Sequence, residues 1–299
     1  MAQRANKQTD AGGILYVVAT PIGNPDDISA RAIRTLAEVS LIACEDTRRT
    51  GQMLARHQIG TPTVSHFEHN EERRVPELVA RLKAGEKIAI VTDAGTPAIS
   101  DPGFRLVRAA LDANVPVIAV PGASAVIAAL SIAGIPTDRF TFEGFVPSRD
   151  SARQKALEEL RGESRTMVFY EASRRVADTL SAMATAFGES RDAAVVCEIT
   201  KTYERTIRGT LAELERRFRA TPALGEIVIV VAGAADESKS RDADAGSVSI
   251  DLREALEVLR EAGLGLKQAS AVVAKLAGIA RREVYQDALK SRDDESSDD

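Results

Sequence analysis

Short runs in which every residue is apolar recur through the first 120 positions. Each is followed by a polar segment bearing Gly or Pro, then by apolar residues at helical spacing. The runs at 14–20 (ILYVVAT), 41–44, 88–92 and 117–120 read as strands buried on both faces, because half-exposed strands alternate instead. A shorter run at 63–65 adds a fifth strand. Between them, Ile28, Ala32, Ile33 and Leu36 mark a helix with Asp27 as its predicted N-cap. Helices are also predicted near 50–57 and over 104–113. Val75, Leu78, Val79 and Leu82 mark a helix over 73–84, with Pro76 in its first turn and Gly85 ending it. This alternation predicts a parallel sheet covered by helices. Every turn after a strand then opens on one edge of the sheet, the edge where open α/β sheets bind ligands.

Those turns are 21–25, 45–49, 93–103 and 121–124, the last opening a helix over 125–133 with Ser124 as cap. The longest, DAGTPAISDPG at 93–103, has glycines that permit positive φ, prolines that fix φ, and the acceptors and hydroxyls of Asp93, Thr96, Ser100 and Asp101. From position 140 the pattern is less regular. Strands are predicted near 140–144, 166–170, 195–199, 203–208 and 226–232, the third and fourth as a hairpin, in a second α/β domain with a mixed sheet. The predicted organisation is a disordered N-terminus (1–12), an N-terminal α/β domain (13–120), a second α/β domain (121–233), a flexible acidic linker (234–249), a C-terminal helical domain (250–290) and an acidic tail (291–299). The last domain holds helices over 252–261, 266–277 and 281–290. Its segment LGLKQA at 264–269 fits either a helix-turn-helix or a packing bundle.

Composition is that of a soluble globular chain of 299 residues, with 44% hydrophobic and 28% charged positions. The net charge of −5 argues against nucleic acid until its distribution is read. Residues 236–251 carry −3 and 291–299 carry −4, so the remainder carries +2. Two separated cysteines, Cys44 and Cys197, exclude a disulfide framework and a Cys-based zinc site. The polar N-terminus and the lack of a membrane-length apolar run lead to an expected cytoplasmic location. There is no GxGxxG after the first strand, no GxxxxGK[ST] and no GxSxG, which disfavours Rossmann, P-loop and hydrolase-elbow chemistry. His66 and His69 alone do not make a metal site, and no metal is expected.

In combination, VATPIGN at 18–24, ACEDTR at 43–48, FEHNE at 67–71, DAGTPAISDPG at 93–103, PGAS at 121–124 and FYEASRR at 169–175 resemble the tetrapyrrole methylase superfamily. Within it, the chain is similar to the ribosomal RNA small subunit methyltransferase I family from about residue 14 to 290. Pro25 departs from that pattern, which has an apolar residue after the Gly-Asn pair. The resemblance implies two α/β domains of tetrapyrrole-methylase type, a cofactor cleft between them and a small C-terminal helical region. It implies S-adenosyl-L-methionine as cofactor and 2′-O-methylation of a cytidine ribose in 16S rRNA, naked or in the small ribosomal subunit, by a homodimer. A small-molecule, tetrapyrrole-like acceptor is the alternative.

For the cofactor, the resemblance points to Gly23, Asp93, Gly95, Thr96 and Ile99, to Ser124 and Ala125, and to Tyr170, Gly225, Glu226 and Ile227 of the second domain. Backbone amides at Gly95, Thr96 and Ser124 are the expected anchors for its amino-acid end, and Ile99 and Tyr170 the expected apolar contacts. A ribose hydroxyl needs a base or tight positioning. Glu45, Asp46, His69 and Asp101 are the candidates, although Glu45 and Asp46 could equally be structural partners of Arg48 or Arg49. Contacts to RNA phosphate are expected from Arg48, Arg49, Arg73 and Arg74, and from Arg174, Arg175 and Lys201.

Overall fold

A computed structural model describes residues 12–234 and 252–277, together with 282 and 284. The chain divides into two compact units, 1–234 and 235–299. Nearly all of the expected disordered N-terminus and acidic linker, most of the predicted helix over 281–290 and the acidic tail lie outside the described residues.

The first unit holds two five-stranded sheets. In the first, β1 (Ile14–Val18), β2 (Leu41–Cys44), β3 (Thr63–Ser65), β4 (Lys87–Val91) and β5 (Val117–Val120) pair in the order β3-β2-β4-β1-β5. All of these pairings are parallel. Successive residues serve opposite faces. Leu41, Ala43, Ile88 and Ile90 pack with Leu78 and Leu82 of α3 (Glu71–Lys83) and Leu106 of α4 (Phe104–Asp112). Ile42, Cys44, Ala89 and Val91 pack with Ala32 and Leu36 of α1 (Ala30–Glu38) and Leu54 of α2 (Thr47–Arg56). Burial on both faces holds for β2 and for all but the first residue of β4, as their unbroken apolar runs require; β1 is only partly buried, and β5, expected to be buried throughout, is the edge strand and leaves Ile118 and Ala119 exposed.

Several boundaries differ from the expected ones. Ser29, not Asp27, caps α1, its side chain accepting from the Ala32 amide. Asp27 instead ends a 3₁₀ turn, Pro25–Asp27, capped by Asn24. The helix α3 begins two residues early because Glu71 is drawn into the interior, which puts Pro76 in the second turn.

The chain crosses to the second sheet after β5. Helix α5 (Ala125–Ala133) lays Val126, Ala129, Leu130 and Ala133 on one face of that sheet. Its strands β6 (Phe140–Phe145), β7 (Thr166–Ala172), β8 (Asp192–Cys197), β9 (Arg205–Thr210) and β10 (Glu226–Val231) run β6-β7-β10-β8-β9. The β6–β7 pair is parallel and the rest antiparallel, the expected mixed sheet. The expected hairpin is β8–β9, with β8 starting earlier and β9 ending later than predicted. Three helices, α6 (Asp150–Glu159), α7 (Val176–Phe187) and α8 (Leu211–Ala220), cover its other face through Leu157, Leu180, Met183, Leu214 and Phe218.

In the second unit, α9 (Leu252–Glu261) and α10 (Leu266–Ala277) keep their predicted limits and pack through Leu256, Ala269 and Val273. No helix among the described residues is long and apolar enough to cross a membrane.

Candidate active site

A cavity of about 260 Å³ lies where the carboxyl edge of the first sheet meets the second. From the first sheet come Ile22, after β1, and the segment 94–101, after β4. Ser124 and Ala125 form the next wall, where the Ser124 hydroxyl oxygen accepts from the Ile127 amide at 3.5 Å and so caps α5. From the second sheet come Phe145, Tyr170, Ile199 and the run Glu226, Ile227 and Val228. Phe145 and Ile99 are 57% and 48% exposed, an apolar lip on an otherwise folded surface. The Tyr170 ring packs edge-on against Phe142 and Phe145, with centroids 4.8 and 5.5 Å away.

The segment 93–103 is held in a conformation few residues favour. Ala98 and Ser100 have φ of 72° and 62°, beside Gly95 at 80° and Gly103 at 133°. Non-glycine residues in this region carry strain that the surroundings must offset, and such strain concentrates at ligand clamps. Two anchors do so here. At the near end, Thr20 and Gly95 exchange backbone hydrogen bonds of 2.9 and 3.1 Å, and the Thr20 hydroxyl donates to the Thr92 carbonyl. The Gly95 amide, an expected cofactor donor, is thereby committed to Thr20, leaving Gly95 as wall. At the far end the buried Glu71 carboxylate accepts from the Gly103 amide at 3.0 Å. His66, 1% exposed, sits 3.3 Å from the same Glu71 oxygen, and burial pushes its imidazole toward the neutral form. A Cβ on Gly103 would lie 2.9 Å from Ile90 Cδ1.

The expected catalytic groups separate into distinct environments. Asp101 is on the cavity wall, and burial, reinforced by Glu45 and Asp93, pushes its carboxyl up to about 6. Tyr170 is pushed up by burial and by Asp101. Asp46 caps α2, accepting from the Arg48 amide at 2.8 Å and pairing with the Arg48 guanidinium at 3.0 Å, which holds it down at about 2. Asp93 accepts from the Asp46 amide and from Arg49, both at 3.2 Å, and so fixes the start of α2. His69 is exposed and stacks edge-on with Phe67, away from the cavity. In the FEHNE neighbourhood the buried histidine is His66 instead.

Other expected residues play joining roles. Gly225 has φ of 72°, and a Cβ there would fall 1.6 Å from Glu198 Oε1, so the Glu198 carboxylate can reach the Glu226 amide at 3.2 Å. Lys201 bridges Glu198 and Glu226 at 3.0 and 3.3 Å. A Cβ on Gly23 would lie 2.6 Å from Lys201 and 2.8 Å from the Ile199 carbonyl, and the Asn24 amide donates to Thr200. These contacts lock the β1 turn to the β8–β9 turn beside the cavity. Among the expected RNA contacts, Arg175 donates from Nε to the fully buried Glu171 at 2.7 Å, and Arg74 pairs with Glu77 while 15% exposed. Both are committed to the protein's own carboxylates. Arg48, Arg49, Arg73 and Arg174 are exposed.

Ile22, Phe145, Ile199 and Val228 were not anticipated as cofactor wall. Only Val228 carried a local signal, since strand alternation puts it on the face of Glu226. No group of three or more His, Cys, Asp or Glu able to hold a metal occurs among the described residues.

The chemistry of this wall suits S-adenosylmethionine. Aliphatic and aromatic side chains offer a surface for adenine, and Asp101 and Glu226 offer negative charge for a sulfonium and an ammonium.

The family of Tetrapyrrole (Corrin/Porphyrin) Methylases matches residues 14–215, and the RsmI C-terminal HTH domain matches residues 247–292. The latter agrees with the helix-turn-helix alternative for LGLKQA. Among solved structures, uroporphyrin-III-C-methyltransferase from Thermus thermophilus aligns over 76% of this chain and 98% of its own, at a TM-score of 0.54 and 18% identity. Diphthine synthase aligns over 74% and 90%, also at 0.54, with 15% identity. At such identities the likeness establishes the fold. Sequence relatives are far nearer. "Ribosomal RNA small subunit methyltransferase I" of Synechocystis is 45% identical over 93% of this chain and 98% of the relative. Proteins of the same name from Haemophilus influenzae and Pseudomonas aeruginosa are 44% and 45% identical over 93% and 94% of this chain, and over 97% and 98% of their own lengths. With that identity sustained along nearly its whole length, the chain belongs to the ribosomal RNA small subunit methyltransferase I family, on the tetrapyrrole methylase fold.

Proposed function

We propose that this protein is an S-adenosylmethionine-dependent methyltransferase that modifies the ribose 2′-hydroxyl of a cytidine in 16S rRNA of the small ribosomal subunit. The observation that carries the reading is the 40–45% identity, over nearly the whole chain, to relatives named for small-subunit rRNA methylation. The acceptor position within the nucleotide rests on the family resemblance. A uroporphyrin-III C-methyltransferase on this fold was crystallised with S-adenyl homocysteine, which supports the same cofactor here.

Gly95, Thr96, Ile99, Ser124, Ala125, Tyr170, Glu226 and Ile227 would hold the cofactor, since all of them line the cavity. When bound, S-adenosylmethionine supplies an electrophilic methyl group to the acceptor oxygen. Asp101 Oδ is our choice of proton acceptor. A carboxyl near 6 is largely ionised at neutral pH yet retains proton affinity, whereas Asp46 near 2 is too weak a base. Glu45 acts on Asp101 through its charge. The strained segment 93–103 holds Asp101 in place, which matters because small misplacements of a base are costly in rate. Exposed arginines, Arg48, Arg49, Arg73 and Arg174, would meet phosphate. A cytoplasmic homodimer is part of the reading, the homodimer supported by the family resemblance and the location by the sparse, unpaired cysteines and the polar N-terminus.

The test is transfer of labelled methyl from S-adenosylmethionine to small ribosomal subunits lacking ribose methylation, with the label mapped. A single labelled ribose in 16S rRNA is expected. No transfer by protein that binds the cofactor would refute the assignment and favour a small-molecule acceptor.

A further inference from the structure

Next to the cofactor cavity is a second, of about 290 Å³, and the two share Ile22, Ala94 and Glu226 as common wall. Its character is different. The helix α2 supplies one side, with Arg49, Gln52, Met53, Arg56 and the following His57 facing the cavity. Spacings of three and four put Arg49, Gln52 or Met53, and Arg56 on one helix face. Over its ten residues α2 carries Arg48, Arg49 and Arg56 and no carboxylate.

The cations here are not equally committed. Arg49 pairs with Asp93 at 3.2 Å, but at 72% exposure, where a competing anion can replace the carboxylate. Lys201, on the opposite wall, is held between Glu198 and Glu226. The Arg56 guanidinium makes no hydrogen bond or ion pair with the described residues, and the same holds for the His57 ring and the Gln52 amide. Arg56 is exposed and lines the cavity wall with its guanidinium uncommitted, beside Arg49, whose own pair is exposed to exchange.

We propose that this second cavity receives the acceptor nucleotide of the RNA, with Arg56 and Arg49 on the phosphates that flank the ribose to be methylated. The proposal rests on the rRNA reading and gives it a location. A guanidinium fork matches the oxygens of a phosphodiester in a way an ammonium does not. The shared wall joins this cavity to the one that Asp101 lines, Asp93 on the wall of the second cavity is close enough to act on the Asp101 carboxyl through its charge, and the Gln52 amide and His57 ring supply hydrogen-bonding groups for a base edge. Phosphate contacts fix register while contributing affinity that depends on salt.

Arg56→Ala is the decisive variant, because Arg56 has no structural partner among the described residues whose loss would complicate the result. Full-length protein is titrated with a single-stranded oligoribonucleotide across a salt series. Calorimetry with S-adenosylmethionine alone and thermal denaturation serve as controls. Loss of one phosphate contact lowers the slope of log K against log salt by about 0.7 and weakens binding about fivefold at 0.1 M salt. Arg56→Lys is expected to recover the slope but not the full methylation rate on unmethylated small subunits. Unchanged RNA affinity and slope in Arg56→Ala, with wild-type protein methylating subunits, overturns the location and leaves the rRNA reading standing. A matching loss of cofactor affinity in the variant overturns it too, by assigning the cavity to the cofactor. If wild-type protein neither binds the oligoribonucleotide nor methylates subunits, the rRNA reading falls and the proposal with it.

Discussion

Asp101→Asn separates the chemical role of this carboxylate from its cost to the fold. Burial, with Glu45 and Asp93 close by, raises the carboxyl from 3.8 to about 6. A shift of about two units corresponds to about 3 kcal/mol, from 1.36 kcal/mol per unit. Partial solvent screening reduces that to about 1–2 kcal/mol. The sign follows from linkage. The folded state holds this proton more tightly than the unfolded state, so the penalty is absent below about pH 3.8, grows through the interval to about 6, and is complete above it. Asparagine keeps the shape and removes the charge. The cofactor-free variant should therefore be more stable than wild type at pH 8 by about 1–2 kcal/mol. At about 2–4 °C per kcal/mol for a body of this size, that is a rise in Tm of about 2–8 °C. At pH 5 the advantage should fall to about half. Calorimetry at pH 5 and pH 8, paired with methylation assays, measures both sides. Turnover should fall about 10²–10⁴-fold for loss of a general base. A variant no more stable than wild type at pH 8, or with the same offset at both pH values, refutes the electrostatic account. Retained turnover refutes Asp101 as base.

Three further outcomes follow from the same geometry. Glu71→Ala strips the buried Gly103 amide of its acceptor, which costs about 1–3 kcal/mol, and should weaken cofactor binding by freeing segment 93–103. Glu71→Gln keeps an acceptor oxygen and should restore most of both, as calorimetry with S-adenosylmethionine and a thermal melt will measure. Gly225→Ala drives a methyl into Glu198 at a positive φ and should lower stability by about 1–3 kcal/mol in denaturant titration. Titration of wild-type protein with S-adenosylmethionine at pH 6, in buffers of different ionisation enthalpy, should reveal proton release as a cation arrives beside Asp101. S-adenosylhomocysteine, which lacks the sulfonium charge, should release less, and Asp101→Asn almost none.

What the sequence disclosed and what it withheld divide along the range of the forces involved. Unbroken apolar runs located four of the five strands of the first sheet, most clearly β2 and β4, where burial on both faces leaves a mark on each residue, whereas β3, Thr63–Ser65, is short, polar at both ends and only partly buried. The order β3-β2-β4-β1-β5 and the early start of α3 left no such mark. Ser29 displaced Asp27 as cap because both are good N-cap residues and the choice is made by where Ala32 and Leu36 must land. In the site, the turns of the first sheet were legible from one rule of parallel sheets, and residues 94–96 and 99–101 of the segment do line the cavity, although Asp93 does not. The facing wall was only partly legible. Ile199 is an ordinary isoleucine at the end of a strand in sequence, and it becomes cavity wall only because the β1 turn docks on the turn that follows β8.

The acidic residues show why residue type alone could not assign roles. Glu45, Asp46, Asp93 and Asp101 all follow strands on one sheet edge, and any of them has the chemistry of a base. Their surroundings sort them. Asp46 is ionised and held by a guanidinium and a helix start, and Asp93 is spent on α2. Only Asp101 of the four lines the cofactor cavity, and the charges of Glu45 and Asp93 help keep its proton affinity near neutral. The three other carboxylates thus contribute by being where they are: two order the cationic helix α2, and Glu45 and Asp93 together tune the fourth. Neutralising Glu45 by Glu45→Gln removes one of those charges without touching the cavity wall. It should move the acidic limb of the pH–rate profile to lower pH while leaving the plateau rate close to wild type. An unshifted limb would mean that Asp101 is not the group whose ionisation the profile reports.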